Sequence, residues 1–268
     1  MRGHSENSAK GFRALDAHCH LSDSAFDFMR DELYGELISQ NITGLVLAGT
    51  VPADWVKQKN LDPPPPLRIA RVFGIHPWFV DTLDDHELHS ALDTLKQTIE
   101  HCQGLGEIGL DYFRAKTENQ RTTQKKWFEA QLDLAKGLDY PLVLHVVKAH
   151  HESVPTLRRH GKSYRGLIHS YWAHVDVAKS YIDMGFLLSV PPRIMKEDPH
   201  QILARIDPEH IVFETDTPFQ NALGETMQPT LIHEFLENIA HLRGEPVVET
   251  AARQERLLSE LFPILKEL

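Results

Sequence analysis

Short apolar, β-branched runs recur along the chain, separated by stretches in which apolar residues return every three or four positions. The runs lie at 14–19, 44–49, 68–74, 104–109, 141–146, 166–169, 186–190 and 210–214, and each predicts a strand. The clearest amphipathic segments between them, 84–102 and 118–137, predict helices, and 245–268 predicts a final helix with Leu257, Leu258, Leu261 and Phe262 as its apolar stripe. Strands that alternate with helices run parallel and are joined by helical crossovers. Eight such units in a chain of 268 residues point to the α/β class and to a closed (β/α)8 TIM barrel over an open doubly wound sheet.

Composition adds limits. Hydrophobic residues make up 41% and charged residues 25% of the chain, as in ordinary globular proteins, so a disordered or collagenous chain is excluded. The sequence shows no repeat or low-complexity linker; the proline run 63–66 reads as a stiff turn into the third strand. Residues 14–268 are therefore expected to form a single domain, after a polar, mobile tail at 1–13 that lacks the apolar core of a secretory signal. Only Cys19 and Cys102 are present, too few for a disulfide framework, and no apolar run spans a bilayer; a cytoplasmic location with no membrane partner is expected. The formal charge of −10 argues against a protein that coats duplex nucleic acid, since that mode needs a surplus of Lys and Arg.

The 17 histidines change the picture, because several fall at strand ends. In a barrel the C-terminal ends of the strands converge on one mouth. Asp16, His18 and His20 stand at i, i+2 and i+4 at the end of the first strand, which puts them on one face of an extended segment. The fourth strand carries Glu107 between glycines, the fifth ends at His145, the sixth at His169, and the eighth runs into Glu214-Thr-Asp216. Taken singly, each is as readily a satisfied core or surface residue; delivered together to one mouth they predict a metal site. The set exceeds the three protein ligands usual for one catalytic zinc, so two divalent ions are expected, Zn, Mn, Mg or Co by ligand type. Glu107 is the expected bridge: His18, His20, Glu107 and Asp216 for one ion, Glu107, His145 and His169 for the other. Asp216 is expected to receive the proton of an activated water, with Glu107 as its catalytic partner and Glu214 orienting a ligand.

These residues, in this order, resemble the TatD family of metal-dependent nucleases among the amidohydrolase-like barrels. The matching pieces are Asp16-Ala-His-Cys-His-Leu21, Gly74-Ile-His-Pro77, Gly106-Glu-Ile-Gly-Leu-Asp-Tyr112, Leu144-His145, Ile168-His-Ser-Tyr171 and Phe213-Glu-Thr-Asp-Thr-Pro218. The resemblance extends from Leu15 to about Phe262 and implies a TIM barrel, hydrolysis of phosphodiester bonds in DNA, and metal ligands at His18, His20, Glu107, His145, His169 and Asp216.

The chain also departs from the family pattern. Val147 stands where an arginine is common, so a cation facing substrate is missing, with Lys148, His150 and His151 as replacements. Ala173 replaces a glycine after the sixth strand, and Tyr171 and Trp172 there are candidates to stack a base, the competing reading being packing of one of them beneath the loop. His76 and Arg193 are candidate phosphate contacts, against loop capping and an ordinary surface arginine; Asp111 and Arg114 are placed similarly, against a plain surface ion pair. The leading expectation is a hydrolase cutting DNA at ends or in single strands, as a 3′–5′ exonuclease or end-processing enzyme. The alternatives are an esterase such as a D-aminoacyl-tRNA deacylase and, as the resemblance to divergent TatD-like proteins implies, a subunit of a bacterial antiphage defence complex.

Overall fold

The computed structural model describes residues 11–161, 163–196, 200–219 and 228–266. The expected tail is thus described only from Gly11, and residues 1–10 lie outside the described residues. Eight strands, β1 (Ala14–Cys19), β2 (Ile42–Ala48), β3 (Arg68–Phe73), β4 (Gly104–Asp111), β5 (Leu142–Val147), β6 (Gly166–His169), β7 (Phe186–Val190) and β8 (Ile211–Phe213), pair in parallel in chain order. Among the described residues ten helices accompany them: α1 (Arg30–Ser39), α2 (Pro52–Lys59), α3 (Pro77–Val80), α4 (Asp85–Thr98), α5 (Glu118–Ala135), α6 (His150–His160), α7 (Val175–Ile182), α8 (His200–Arg205), α9 (Ile232–Arg243) and α10 (Val247–Leu261).

The barrel closes where β1 meets the segment after β8. Asp216 N donates to His18 O at 3.0 Å and His20 N to Thr217 O at 2.8 Å. Below that point Gln254 of α10 bridges the same seam, accepting from Phe213 N at 2.8 Å and donating to Leu15 O at 2.5 Å and Phe213 O at 3.1 Å. Alternate strand residues Leu15, Ala17, Val46, Ala70, Val72, Val143, Leu167 and Val212 form an inner cluster with Leu257, Leu258, Leu261 and Phe262. The stripe read from the sequence therefore plugs the bottom of the barrel. A second, larger cluster joins the strands to the surrounding helices.

Several boundaries shift by one or two residues, and two helical segments depart further from expectation. The last helix is shorter than 245–268, because Pro246 begins it without an N–H to spare and Pro263 opens a tight turn at Pro263–Leu265. The segment 84–102 is helical only over Asp85–Thr98, where Asp84 and Glu87 form a reciprocal capping box, and ends in a tighter turn at Ile99–His101.

Candidate metal centre

Backbone irregularities aim the site. In β4, Gly106 pairs with Val143 and Ile108 with Leu144, so Glu107 is an extra residue bulged out of the ladder. The glycines beside it permit this: a Cβ on Gly106 (φ 154°) would lie 2.4 Å from Val143 O, and one on Gly109 (φ 143°) 2.1 Å from His145 O. β1 is also irregular between Asp16 and Cys19, which sets Asp16 apart from the histidines that follow. Ser170 and Asp216 hold left-handed backbone (φ 48° and 56°) just beyond β6 and β8, a conformation that costs about 1 kcal/mol or more each and concentrates at functional sites.

The two oxygens of Glu107 face different partners. Oε2 lies 3.3 Å from Nε2 of both His18 and His20, while Oε1 lies 3.4 Å from His145 Nδ1, 3.5 Å from His76 Nε2 and 3.8 Å from His169 Nε2. Asp216 completes the group: Oδ1 is 3.8 Å from His18 Nε2 and 3.7 Å from His20 Nε2, and Oδ2 is 3.9 Å from His169 Nε2. All six residues expected as ligands thus converge. Overlapping triads suited to a cation are His18–Glu107–His169, His18–His20–Asp216, His76–Glu107–His145 and His169–Glu214–Asp216. Glu107 Oε2, Asp216 Oδ1 and His145 Nδ1 are buried without a protein hydrogen bond, as atoms reserved for a cation would be.

Outer groups fix the imidazoles. His20 Nδ1 lies 3.2 Å from Ala48 O, so it carries the proton and leaves Nε2 a lone pair facing Glu107. His169 Nδ1 lies 3.0 Å from Glu214 Oε1, and Glu214 is held by Ser170 N at 2.9 Å and Ser189 Oγ at 2.5 Å. His145 Nε2 lies 3.3 Å from Asp111 Oδ2. Asp16 touches neither Glu107 nor Asp216 among the described contacts; it accepts from His18 N (3.1 Å), Thr215 N (3.0 Å) and Thr215 Oγ1 (2.5 Å), binding β1 to the segment after β8. His76 has the opposite tautomer to His20 and His169. Its Nδ1 accepts from Trp78 N at 3.1 Å, which puts the proton on Nε2 and makes it a donor toward the mouth.

Charges follow this packing. Burial opposes ionisation of Glu107, but the surrounding histidines, His18 foremost, outweigh it and hold the carboxyl well below its usual range. Burial lowers His18 and the neighbouring Glu107 more than offsets it, to about 9; His145 likewise reaches about 9, burial being outweighed by its contacts with Asp111 and Glu107. His76, lowered by burial and by His145 to about 4, is neutral. Burial drives Asp16 up to about 7 despite its hydrogen bonds.

A cavity of about 600 Å³ opens above these residues, and Arg193, Arg114, Trp78 and Phe219 stand on its wall. Tyr171 does not: it is 1% exposed and its hydroxyl donates to His174 O at 2.9 Å, so the expected stacking role is corrected to packing beneath the loop. Trp172 is 37% exposed beside the Arg193 guanidinium, 5.7 Å from its ring centre. Arg193 also donates to Ser170 O at 3.0 Å. The alternative of a plain Asp111–Arg114 surface pair is not found among the described residues: Asp111 Oδ2 takes Trp78 Nε1 at 2.6 Å and Oδ1 takes the backbone N–H of Phe113 and Arg114 at 2.9 and 3.0 Å. The sequence reading missed Trp78 and Asp54. Trp78 adjoins the His76 motif, a usable signal; Asp54, which accepts from Ser22 Oγ at 2.5 Å and Thr50 N at 2.9 Å, has none.

The family model described as TatD related DNase matches residues 15–263. The chain belongs to that family. The deoxyribonuclease TATDN3 of Homo sapiens is 28% identical over 273 residues, covering 97% of this chain and 98% of the relative. The 3′-5′ ssDNA/RNA exonuclease TatD of Pantoea ananatis is 23% identical over 270 residues, covering 94% of this chain and all of the relative. The crystal structure of YjjV, a TatD homologue from Escherichia coli, superposes with a TM-score of 0.80 at 22% identity, covering 94% of this chain and 98% of that one, which agrees with the barrel. This TatD protein is a metal-dependent hydrolase with a cluster of residues fit to bind cations. Among the described residues no helix is long and apolar enough to cross a membrane.

Proposed function

We propose that this TatD protein hydrolyses phosphodiester bonds in DNA, at ends or in single strands, with two divalent ions bridged by Glu107. The observation that carries this reading is the division of labour at Glu107, whose Oε2 faces His18 and His20 while Oε1 faces His145 and His169. His18, His20, Glu107 and Asp216 would hold one ion, and Glu107, His145 and His169 the other. Ions bound there would supply Lewis acidity toward a phosphoryl oxygen and lower the pKa of water from 15.7 to about 7. Asp216 Oδ1, buried and without a hydrogen bond, is placed to take the proton of the attacking water. His76, with its proton on Nε2, donates to a phosphate oxygen, and Arg193 supplies positive charge from the cavity wall.

Preference for ends or single strands is supported by the rim. Phe113 is 53% and Phe219 41% exposed on the cavity wall, and unpaired bases stack on such faces. Trp172 beside Arg193 is a further stacking platform. The two cysteines, buried and unpaired, suit the reducing cytoplasm.

The test is cleavage of end-labelled single-stranded and duplex DNA in Mn²⁺ or Mg²⁺, before and after chelation. Wild type is expected to cut, to stop on chelation and to recover with added metal; Asp216→Asn is expected to lose at least about a thousandfold in rate while keeping its far-UV circular dichroism. Cleavage unaffected by chelation, or hydrolysis of an aminoacyl ester but not of DNA, contradicts the reading. So does a stable complex with other proteins and no turnover.

A further inference from the structure

We infer that Arg114, carried on the face of Trp78, binds the phosphate next to the one hydrolysed and so replaces the cation that Val147 does not provide; this rests on the phosphodiesterase reading above. Val147 is the register partner of Asp111 and lines the cavity with an uncharged side chain. The residues that follow do not take its place. Lys148 Nζ sits 4.9 Å over the Phe113 ring and is not on the cavity wall, and His150 Nδ1 turns to Tyr181 OH at 3.0 Å. His151 is exposed and packs against Tyr112.

Arg114 is on that wall, and its guanidinium lies 3.6 Å from the centre of the Trp78 ring. Both members of this stack hang from one carboxylate: Asp111 Oδ2 accepts Trp78 Nε1 at 2.6 Å, and Oδ1 accepts Arg114 N at 3.0 Å. The ring is further boxed by His76 at 5.0 Å and Phe219 at 6.0 Å, both edge-on. A guanidinium carried on an aromatic face is held in place without using its N–H groups, which remain to donate bidentately to a phosphate. Among the described residues the Arg114 side chain makes no ion pair or hydrogen bond, although acidic groups crowd this mouth. Its charge is therefore available to a ligand.

The position is set back from the hydrolytic centre. Trp78 presents its Nε1 edge to Asp111, which also meets His145 Nε2 at 3.3 Å, while Arg114 occupies the ring face. Ions held by the Glu107 cluster, with His76, would meet the phosphate under attack; the arginine, one aromatic ring away, would meet its neighbour along the strand. Asp111 and Trp78 are thus positioning residues for Arg114.

Two substrates separate the possibilities: the dinucleotide TpT, which has only the phosphate that is hydrolysed, and a single-stranded oligothymidylate. Arg114→Gln is expected to raise KM for the oligothymidylate by about tenfold, the loss of one charge-assisted contact, with kcat and the KM for TpT changed less than about twofold. The salt dependence is the second readout: the slope of log(kcat/KM) against log[salt] on the oligothymidylate should become shallower by about 0.7, one phosphate contact on a single strand. Arg114→Lys should keep the salt slope and recover part of the KM. Arg114→Gln matching wild type in KM and slope, or losing equally on both substrates, overturns the inference. If wild type cleaves neither substrate in any divalent metal, the phosphodiesterase reading fails first and takes this one with it. Cleavage of the oligothymidylate alone leaves KM and slope on that substrate to decide.

Discussion

Glu107 reaches the barrel mouth because its backbone is bulged. In a regular ladder the residue between Gly106 and Ile108 would alternate with its neighbours; as an extra residue it points both oxygens into the mouth, where four of the five surrounding histidines have a fixed partner on the far side. Ligand groups oriented this way depend on those outer contacts. Glu214, fully buried and holding His169 Nδ1 at 3.0 Å, is the one to test: Glu214→Gln is expected to weaken metal binding by about 10- to 100-fold with the fold intact. Titration with Mn²⁺ followed by calorimetry reads this, and unchanged affinity would remove Glu214 from the site's support. At this scale the sequence was most informative about residues spaced by strand ends and least about contacts between loops. His18, His20, His145 and His169 were legible because strand ends converge. The Trp78–Asp111–Arg114 stack was not, since α3 and the turn after β4 meet only in three dimensions.

Among the elements, the strands followed their apolar runs closely, and β6 and β7 have the ends their sequence predicts. Interior packing explains this: a parallel strand buried on both faces is apolar throughout. Helix ends were harder to read, because they depend on caps and prolines. The start of α10 shows how. Glu245, just before Pro246, receives Arg253 Nη1 at 3.1 Å, Arg253 Nη2 at 2.9 Å and Thr250 Oγ1 at 2.6 Å, anchoring the first turns of the helix that closes the barrel. The Arg253 fork holds the Glu245 carboxyl below its ordinary 4.5. A carboxyl lowered in the fold contributes its full stabilisation above the ordinary value and loses it as pH falls from there through the lowered value. Glu245→Gln is therefore expected to cost about 1 kcal/mol at pH 7 and less at pH 3, in urea unfolding of the two proteins side by side. An equal cost at both pH values would mean that packing, not charge, anchors the turn.

For the whole molecule, the formal charge of −10 disfavours coating a duplex but not gripping one or two phosphates in a cation-filled mouth. Two divalent ions would add four charges, taking −10 to −6 at the place where phosphate docks. The closed barrel makes this possible by bringing residues as distant in sequence as His18 and Asp216 within 3.8 Å. On the proposed function everything turns on one carboxylate serving two ions. The direct measurement is metal content by mass spectrometry of wild type and Glu107→Gln, each loaded with Mn²⁺ and desalted, with DNA cleavage assayed on the same samples. Two ions per wild-type chain, with one or none and no cleavage in a folded Glu107→Gln, is the predicted result. A folded Glu107→Gln that retains two ions and wild-type cleavage would contradict it.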